Sequence, residues 1–140
     1  HRFFSPGTDR LIVEHCGWRI APSICYDLRF PVWLRNRDDY DLTIFVANWP
    51  SKRQIAWSTL LRARAIENIS YSCGVNVTGV DGAGVEYAGG SSIFDPVGEP
   101  IAEHFEDRVV ATHTLSGAFL VETRTNFPAN LDNDKFSIEY

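Results

Sequence analysis

The sequence predicts an α/β fold in which helices cover a mixed sheet. A nearly continuous apolar run at 41–47, DLTIFVA, is typical of a strand that is buried on both faces. After it, apolar residues recur with a 3.6-residue period as far as about Asn68, which predicts an amphipathic helix. Shorter segments rich in strand-forming residues lie on both sides of this pair and supply the other strands of a single sheet.

A hairpin and a short helix are predicted before the central strand. Residues 11–15 and 18–25 are rich in strand formers, and they flank Gly17, a residue typical of a tight turn. Pro31 then opens a short helical segment, because proline is tolerated at an early helical position.

The long helix is predicted to start at a capping box formed by Ser51 and Gln54. Further strands are expected at 71–80, at 91–95 with a turn into another strand, at 108–114 and at 117–122. The glycine-rich stretches between them indicate turns. From Asn126 the apolar periodicity is too weak for a core element, and residues 126–140 are predicted to form a terminal arm.

Composition excludes several classes of function. A net charge of −5 and 13 scattered basic residues make nucleic acid an unfavourable partner, and no apolar run approaches the length of a membrane span. The three cysteines have no CxxC spacing, which favours reduced thiols in the cytoplasm over a disulfide framework or a zinc site. The sequence contains no methionine and begins at His1, so we expect further residues to precede it.

Cys25 has two interpretations. A free cysteine is often a small buried hydrophobic residue, and Cys16 and Cys73 are predicted to be core residues of that kind. Cys25, however, ends a strand just before a turn and a helix, an arrangement that exposes a nucleophile and aims backbone N–H groups at a developing oxyanion.

A nucleophilic thiol also needs a base or a cation nearby. The predicted hairpin separates His15 from Cys25 by roughly 17 Å, which argues against a Cys-His pair. His104 and His113 have no visible anchoring partner, and Lys52 at a helix start is expected to be solvated. The sequence thus supplies a nucleophile without a convincing activator.

An ordered set of motifs resembles the carbon-nitrogen hydrolases of the nitrilase superfamily, and most closely their omega-amidase branch. The motifs are ICYDLRFPVW at 24–33, YDL at 40–42, VANWP at 46–50, RARAIEN at 62–68, GVN at 74–76, DGxG at 81–84, YxGGS at 87–91, DPxGE at 95–99 and FPxxxDxDxF at 127–136. Each motif alone is weak, whereas their order and spacing together are specific.

The resemblance implies the C-terminal half of an α-β-β-α sandwich, with residues 1–125 in the hydrolase domain and residues 126–140 as its arm. It implies a Glu-Lys-Cys triad in which Cys25 is the nucleophile and the backbone N–H of Tyr26 is an oxyanion donor. The lysine and the glutamate match no position of this sequence and are expected upstream, so the 140 residues alone are predicted to be inactive. Neither a metal nor an organic cofactor is required, and subunits are expected to form a homodimer or a higher homo-oligomer.

The function implied is hydrolysis of a small-molecule amide, such as 2-oxoglutaramate, through a cysteine thioester with release of ammonia. The alternatives are a non-catalytic fragment acting in protein association, and a carbamoyl amidase or nitrilase of other specificity. Arg29 either binds a substrate carboxylate or forms a salt bridge with Asp27 or another neighbouring acid. Asn48 and Trp49 follow the central strand, where open sheets bind ligands, although Trp49 could equally plug a helix start.

Overall fold

The computed structural model describes residues 7, 9–104, 110–132, 134 and 137. It contains a six-stranded mixed sheet in the order β1-β2-β3-β4-β7-β8 and a separate two-stranded ribbon, β5-β6. The strands are β1 Val13–His15, β2 Trp18–Ile24, β3 Leu42–Ala47, β4 Tyr71–Asn76, β5 Thr78–Val80, β6 Glu86–Ala88, β7 Ser91–Phe94 and β8 Pro100–His104. The predicted mixed sheet, its β1-β2 hairpin and its central strand are confirmed.

The described residues also form three α-helices and three short 3-10 helices. The α-helices are α1 Pro31–Leu34, α2 Gln54–Asn68 and α3 Gly117–Asn126. The 3-10 helices are Cys25–Arg29, Ser51–Arg53 and Ala129–Asp132. The predicted short helix at Pro31 and the end of the long helix at Asn68 are confirmed.

Strands β2, β3 and β4 run parallel and form the centre of the sheet. The register pairs Ile24 with Val46, and Val46 with Val75. Because the carboxyl ends of parallel strands meet at one edge of a sheet, the residues that follow the three strands lie beside one another. Cys25 and Asn48 both stand at this edge.

Helix α2 packs on one face of the sheet. Its residues Trp57 and Leu61 are fully buried and form a core cluster with Phe45 and Phe94. The helix approaches β4 so closely that a Cβ atom on Gly74 would collide with Leu61 Cδ1. A larger residue at position 74 would therefore push the helix away from the sheet.

The opposite face of the sheet is only partly covered. Leu120 of α3 packs there against Leu42 and Tyr71. Further toward the Cys25 edge, Ile24, Val46 and Val75 form a row that is 68%, 50% and 49% exposed. An apolar row of this kind on the middle strands of a sheet is typical of a surface that another layer covers.

Four local expectations were wrong or incomplete. Residues 117–122 belong to α3 rather than to a strand, because the Ser116 hydroxyl accepts a hydrogen bond from the Phe119 N–H (3.1 Å) and starts a helix. The predicted 71–80 strand is divided into β4 and β5, and β6 forms within a stretch predicted as turns. The Ser51 capping box is absent, since residues 51–53 form a 3-10 helix ahead of α2.

In the predicted 108–114 strand, residues 110–114 have no regular structure, and 108 and 109 lie outside the described residues. Part of the predicted arm also lies outside them, and the boundary at residue 126 stays a prediction. Over the residues that are described, no helix is both long and apolar enough to cross a bilayer.

Two arginines converge on Asp41 at the amino end of β3. Arg19 donates from Nη2 to Oδ1 at 2.8 Å, and Arg124 of α3 donates from Nη1 to the same oxygen at 2.8 Å. Arg124 also binds the carbonyl oxygens of Ile69 and Tyr40, which ties α3 to the sheet. Burial acts to raise the pKa of Asp41, but the hydrogen bonds from the two arginines outweigh it and lower the pKa to about 2.

We expect Asp41→Asn to destabilise the protein at neutral pH by about 2 kcal/mol, because both arginines lose a charged acceptor. An aspartate with a lowered folded-state pKa stabilises the fold above its unfolded pKa of about 3.9, and this contribution is lost as the pH falls toward the folded value. Urea unfolding of wild type and variant should therefore differ at pH 7 and converge near pH 2.

Asp38→Asn is the matched control for this measurement. The Asp38 side chain is 68% exposed and lies 3.7 Å from Arg19 and 3.9 Å from Arg124. An exposed pair of this kind contributes little, so the control should shift stability by less than about 0.5 kcal/mol. A constant difference between wild type and Asp41→Asn from pH 7 to pH 2 would contradict the assignment.

Candidate active site

Cys25 lies where β2 ends and the chain turns into the 3-10 helix Cys25–Arg29. Its φ of 44° is in the left-handed region, which costs a non-glycine residue about 1–3 kcal/mol unless the surroundings hold it there. The turn is held by the Asp27 carboxylate, which accepts from the Ile24 N–H at 2.9 Å. A second bond joins the Phe30 N–H to the Asp27 carbonyl oxygen, also at 2.9 Å.

Cys25 itself is half-buried. It packs against the edge of the core cluster that contains Leu28 and Trp49, yet it is not sealed inside that cluster. A nucleophile needs this combination, because the thiol must be reachable while part of its surroundings stays dry.

Arg29 and Trp49 meet beside Cys25. The Arg29 guanidinium carbon lies 4.9 Å from the centre of the Trp49 ring, a cation-π contact. The Asp27 carboxylate already accepts from the Ile24 N–H, and among the described residues no acid forms an ion pair with Arg29. The anticipated pairing of Arg29 with Asp27 is therefore not observed.

Trp49 is 3% exposed and has a structural role in this arrangement. Its Nε1–H donates to the Arg53 carbonyl oxygen at 2.8 Å, and its ring lies 5.4 Å from that of Trp57. Of the two interpretations of Trp49, the structure favours the one in which the ring fills the space at the start of α2. Asn48 is exposed at the same sheet edge, and Tyr26 is 61% exposed.

Asn76, which sequence reasoning did not single out, joins two loops at this edge of the sheet by hydrogen bonds. Its Oδ1 accepts from the Trp49 N–H at 2.7 Å, while its Nδ2 donates to the carbonyl oxygens of Trp49 and Gly89. The sequence could have pointed to Asn76, because this residue ends a predicted strand within the GVN motif. A buried asparagine with these three partners fixes the loops that surround the site.

The β5-β6 ribbon carries a polar pair near the thiol. The Tyr87 hydroxyl donates to the Asp81 carboxylate at 2.9 Å, and the Ala83 and Val85 N–H groups donate to the same carboxylate. These hydrogen bonds, led by the one from Val85, lower the pKa of Asp81. The bond to Asp81 raises the pKa of Tyr87, and negative charge on Cys25 acts in the same direction.

The other two cysteines differ from Cys25. Cys73 packs against the cluster beneath α3, as predicted, and burial raises the pKa of its thiol. The prediction of a core residue is wrong for Cys16, which is exposed in the β1-β2 turn at φ 49° and lies 3.4 Å from His15 Nε2. The hairpin register sets His15 opposite Trp18, at the other end of β2 from Cys25.

His104 and His113, expected to lack partners, contact each other, with 3.1 Å between their Nε2 atoms. They line a cavity of about 600 Å³ together with Cys73, Val75 and Ser91, and Cys25 is not part of its lining. Within the described ranges, no cluster of three or more histidine, cysteine, aspartate or glutamate side chains could hold a metal ion.

Several curated relatives match almost the whole chain, and two of them illustrate the match. The omega-amidase YafV of Escherichia coli K12 is 50% identical over 99% of this chain and 54% of its own length. The 2-oxoglutaramate amidase of Paenarthrobacter nicotinovorans is 38% identical over 91% of this chain and 48% of its own length. The chain thus spans about half the length of the curated relatives it matches.

Solved structures show the same fold. XC1258 from Xanthomonas campestris, described as a CN-hydrolase superfamily protein with an arsenic adduct in the active site, is 52% identical with a TM-score of 0.93 over 97% of this chain and 54% of that one. An amidase from Nesterenkonia sp. AN1, with the acetamide moiety of fluoroacetamide added covalently at its active-site cysteine, is 27% identical with a TM-score of 0.68 over 74% of this chain and 40% of its own.

The model of the carbon-nitrogen hydrolase family matches residues 1–124. This match covers most of the chain, and it agrees with the nitrilase-type α/β fold and with the motifs that surround Cys25. The chain belongs to the carbon-nitrogen hydrolase family.

Proposed function

We propose that the protein hydrolyses a small-molecule amide of the omega-amidase type, with Cys25 as the nucleophile. The observation that carries this proposal is the position of Cys25, half-buried and left-handed at the carboxyl edge of three parallel strands. The 50% identity to an omega-amidase over 99% of the chain supports the choice of reaction.

In the proposed reaction the Cys25 thiolate attacks the amide carbonyl carbon and forms a tetrahedral oxyanion. The oxyanion collapses, the C–N bond breaks, and the nitrogen leaves as ammonia after it takes up a proton from a general acid. Water then attacks the thioester, which releases the carboxylic acid and returns the thiol. The Tyr26 backbone N–H is proposed as one donor to the oxyanion, in a place where fixed dipoles stabilise developing charge.

The lysine and the glutamate of the implied triad are proposed to come from a part of the protein outside these 140 residues. The support is that the relatives are about twice as long as the segment they share with this chain. On this proposal the 140-residue segment is the C-terminal half of an α-β-β-α sandwich and is inactive alone. The apolar row Ile24, Val46 and Val75 would face the second sheet.

Arg29 is proposed to bind the carboxylate of a 2-oxo acid amide such as 2-oxoglutaramate. The guanidinium lies over the Trp49 ring, and no acid among the described residues forms an ion pair with it. A planar guanidinium favours bidentate binding of a carboxylate. Asn48, exposed at the same edge, is a candidate for contact with the remaining polar atoms of the substrate.

A homodimer and a cytoplasmic location are further parts of the proposal. The outer face of α2 carries Ile55 and Ile66, which are 84% and 51% exposed, and such residues favour burial against another subunit. The alternative function is a non-catalytic protein that associates with other proteins, and it would use the same exposed surfaces. The reactivity of the thiol separates the two functions.

We expect Cys25→Ser to abolish hydrolysis of 2-oxoglutaramate in the natural protein that contains this sequence, because a neutral hydroxyl is a far weaker nucleophile than a thiolate. In the wild type, iodoacetamide should modify Cys25 at least about ten times faster than Cys73, whose thiol is disfavoured by burial. Peptide mass spectrometry of timed samples measures each rate separately.

Cys16 is exposed beside His15 and is therefore the stricter comparison. Saturating substrate should protect Cys25 from iodoacetamide and leave the rate at Cys16 unchanged. If Cys25 reacts no faster than Cys73 and substrate protects neither, the catalytic proposal is wrong and the association alternative is favoured.

Arg29→Gln is expected to lower kcat/KM for 2-oxoglutaramate about 100-fold, since a charged hydrogen-bonded contact worth roughly 2–3 kcal/mol is lost. Arg29→Lys should lose about 10-fold, because lysine keeps the charge without the planar fork. An uncharged amide of the same chain length is the control substrate, and its kcat/KM should hardly change. Equal losses of kcat/KM for both substrates would show that Arg29 does not bind the substrate carboxylate.

A further inference from the structure

Arg64 is an unusually buried arginine that reaches from α2 to the turn carrying Cys25. Its side chain is 3% exposed. Both Nε and Nη2 donate to the Leu28 carbonyl oxygen, at 3.1 and 2.6 Å. Leu28 is fully buried and lies three residues after Cys25 in the same 3-10 helix. Two nitrogens of one charged side chain thus bind a single backbone carbonyl of the turn that carries Cys25.

The Leu28 carbonyl stands near the end of that 3-10 helix, where carbonyl groups lack partners within the helix. The Phe30 N–H already binds the carbonyl of Asp27. A buried carbonyl without a donor costs about 1–3 kcal/mol, and a positive charge at a helix carboxyl end is favourable. Arg64 satisfies both requirements at once.

Arg64 is itself held in place. Its Nη1 donates to Glu67 Oε1 at 2.6 Å, and Asn68 donates from Nδ2 to the Arg64 carbonyl oxygen at 2.9 Å. Asn68 Oδ1 in turn accepts from the Asn36 N–H at 2.8 Å. The guanidinium therefore has little freedom to swing, although Glu67 itself remains 40% exposed.

The turn Cys25–Arg29 is consequently held by hydrogen bonds near both of its ends. Asp27 holds the N–H of Ile24, which precedes Cys25, and Arg64 holds the Leu28 carbonyl near the end of the turn. Between these points Cys25 keeps a left-handed backbone, a conformation that persists only when surrounding contacts over-determine it. Without Arg64 the turn would be free to relax toward an ordinary conformation and to redirect the thiol.

We propose that Arg64, oriented by Glu67, is a positioning residue that fixes the direction of the Cys25 thiol. The part of this proposal that concerns hydrolysis rests on the proposed amidase function. The part that concerns thiol reactivity does not, because alkylation of Cys25 is measurable whether or not an amide is hydrolysed.

The test uses Arg64→Lys and Glu67→Gln in the natural protein. Arg64→Lys keeps the charge but cannot donate from two nitrogens of one plane, and it should slow iodoacetamide modification of Cys25 about 10-fold. It should lower kcat for 2-oxoglutaramate by a similar factor and leave KM within about twofold, since Arg64 does not touch substrate. Glu67→Gln should give about a threefold loss in both rates.

Arg124→Lys is the matched control, because Arg124 also binds two backbone carbonyls and an acid but lies at the opposite edge of the sheet. It should lower the unfolding temperature as much as Arg64→Lys does and leave alkylation of Cys25 unchanged. Equal effects of the two lysine variants on Cys25, or no effect of either, would overturn the proposal. If Arg64→Lys fails to fold, Glu67→Gln decides, and an unchanged Cys25 rate in that variant overturns it as well.

The two proposals fail in different ways. A wild type that hydrolyses no amide, with Cys25 alkylation still slowed in Arg64→Lys, removes the amidase function and keeps the positioning role. A wild type that hydrolyses 2-oxoglutaramate, with Arg64→Lys unchanged in both alkylation and kcat, removes the positioning role alone.

Discussion

The parallel pairing of β2, β3 and β4 is the constraint on which the rest of the structure depends. Parallel neighbours cannot be joined by tight turns, so each must leave the sheet at its carboxyl edge and return by a crossover. The first crossover carries Cys25 and Arg29, and the second carries Asn48 and Trp49 before it continues as α2. The register therefore assembles the candidate site from segments far apart in sequence.

Among the described residues, the partly buried ion pairs lie at the two ends of the parallel strands rather than between them. Asp41 and two arginines hold the amino edge, whereas Arg64 and Glu67 hold the carboxyl edge beside the thiol. Burying charge is unfavourable unless hydrogen bonds satisfy it, and in both clusters the arginines also bind backbone carbonyls. The clusters thus fix loops whose backbone polar groups would otherwise be buried without partners, while Phe45 and Trp57 fill the apolar centre between them.

Patterns that act over a few residues were predictable from the sequence, and contacts between distant residues were not. The run at 41–47 and the period that ends at Asn68 each report burial within one element, and both predictions are confirmed. The segment 117–122 failed because apolar residues there suit either a strand or a helix, and the Ser116 cap decided for the helix. Cys16 was assigned to the core because free cysteines are often buried and no charged neighbour suggested another role, although its position in a tight turn exposes it.

The candidate site shows the same difference between local patterns and contacts of distant residues. The position of Cys25 at the end of a strand was predictable, because strand, turn and proline follow one another in the sequence. The contacts that hold its turn were not, since Arg64 binds a carbonyl 36 residues away and Asn76 binds Trp49 across 27 residues. Each of these links depends on how α2 and β4 pack in three dimensions, and no local pattern encodes that packing.

The exposure of the sheet beside Cys25 connects the fold with the proposed chemistry. A thiolate and an oxyanion are stabilised by fixed charges only where water is excluded, because the same charges are screened in an open surface. Ile24, which directly precedes Cys25, is 68% exposed, and Val46 and Val75 continue this apolar row across the sheet. A layer packed on that row would bury it and at the same time dry the thiol's surroundings. On the proposed mechanism, such a layer would also be the source of the cation and the base.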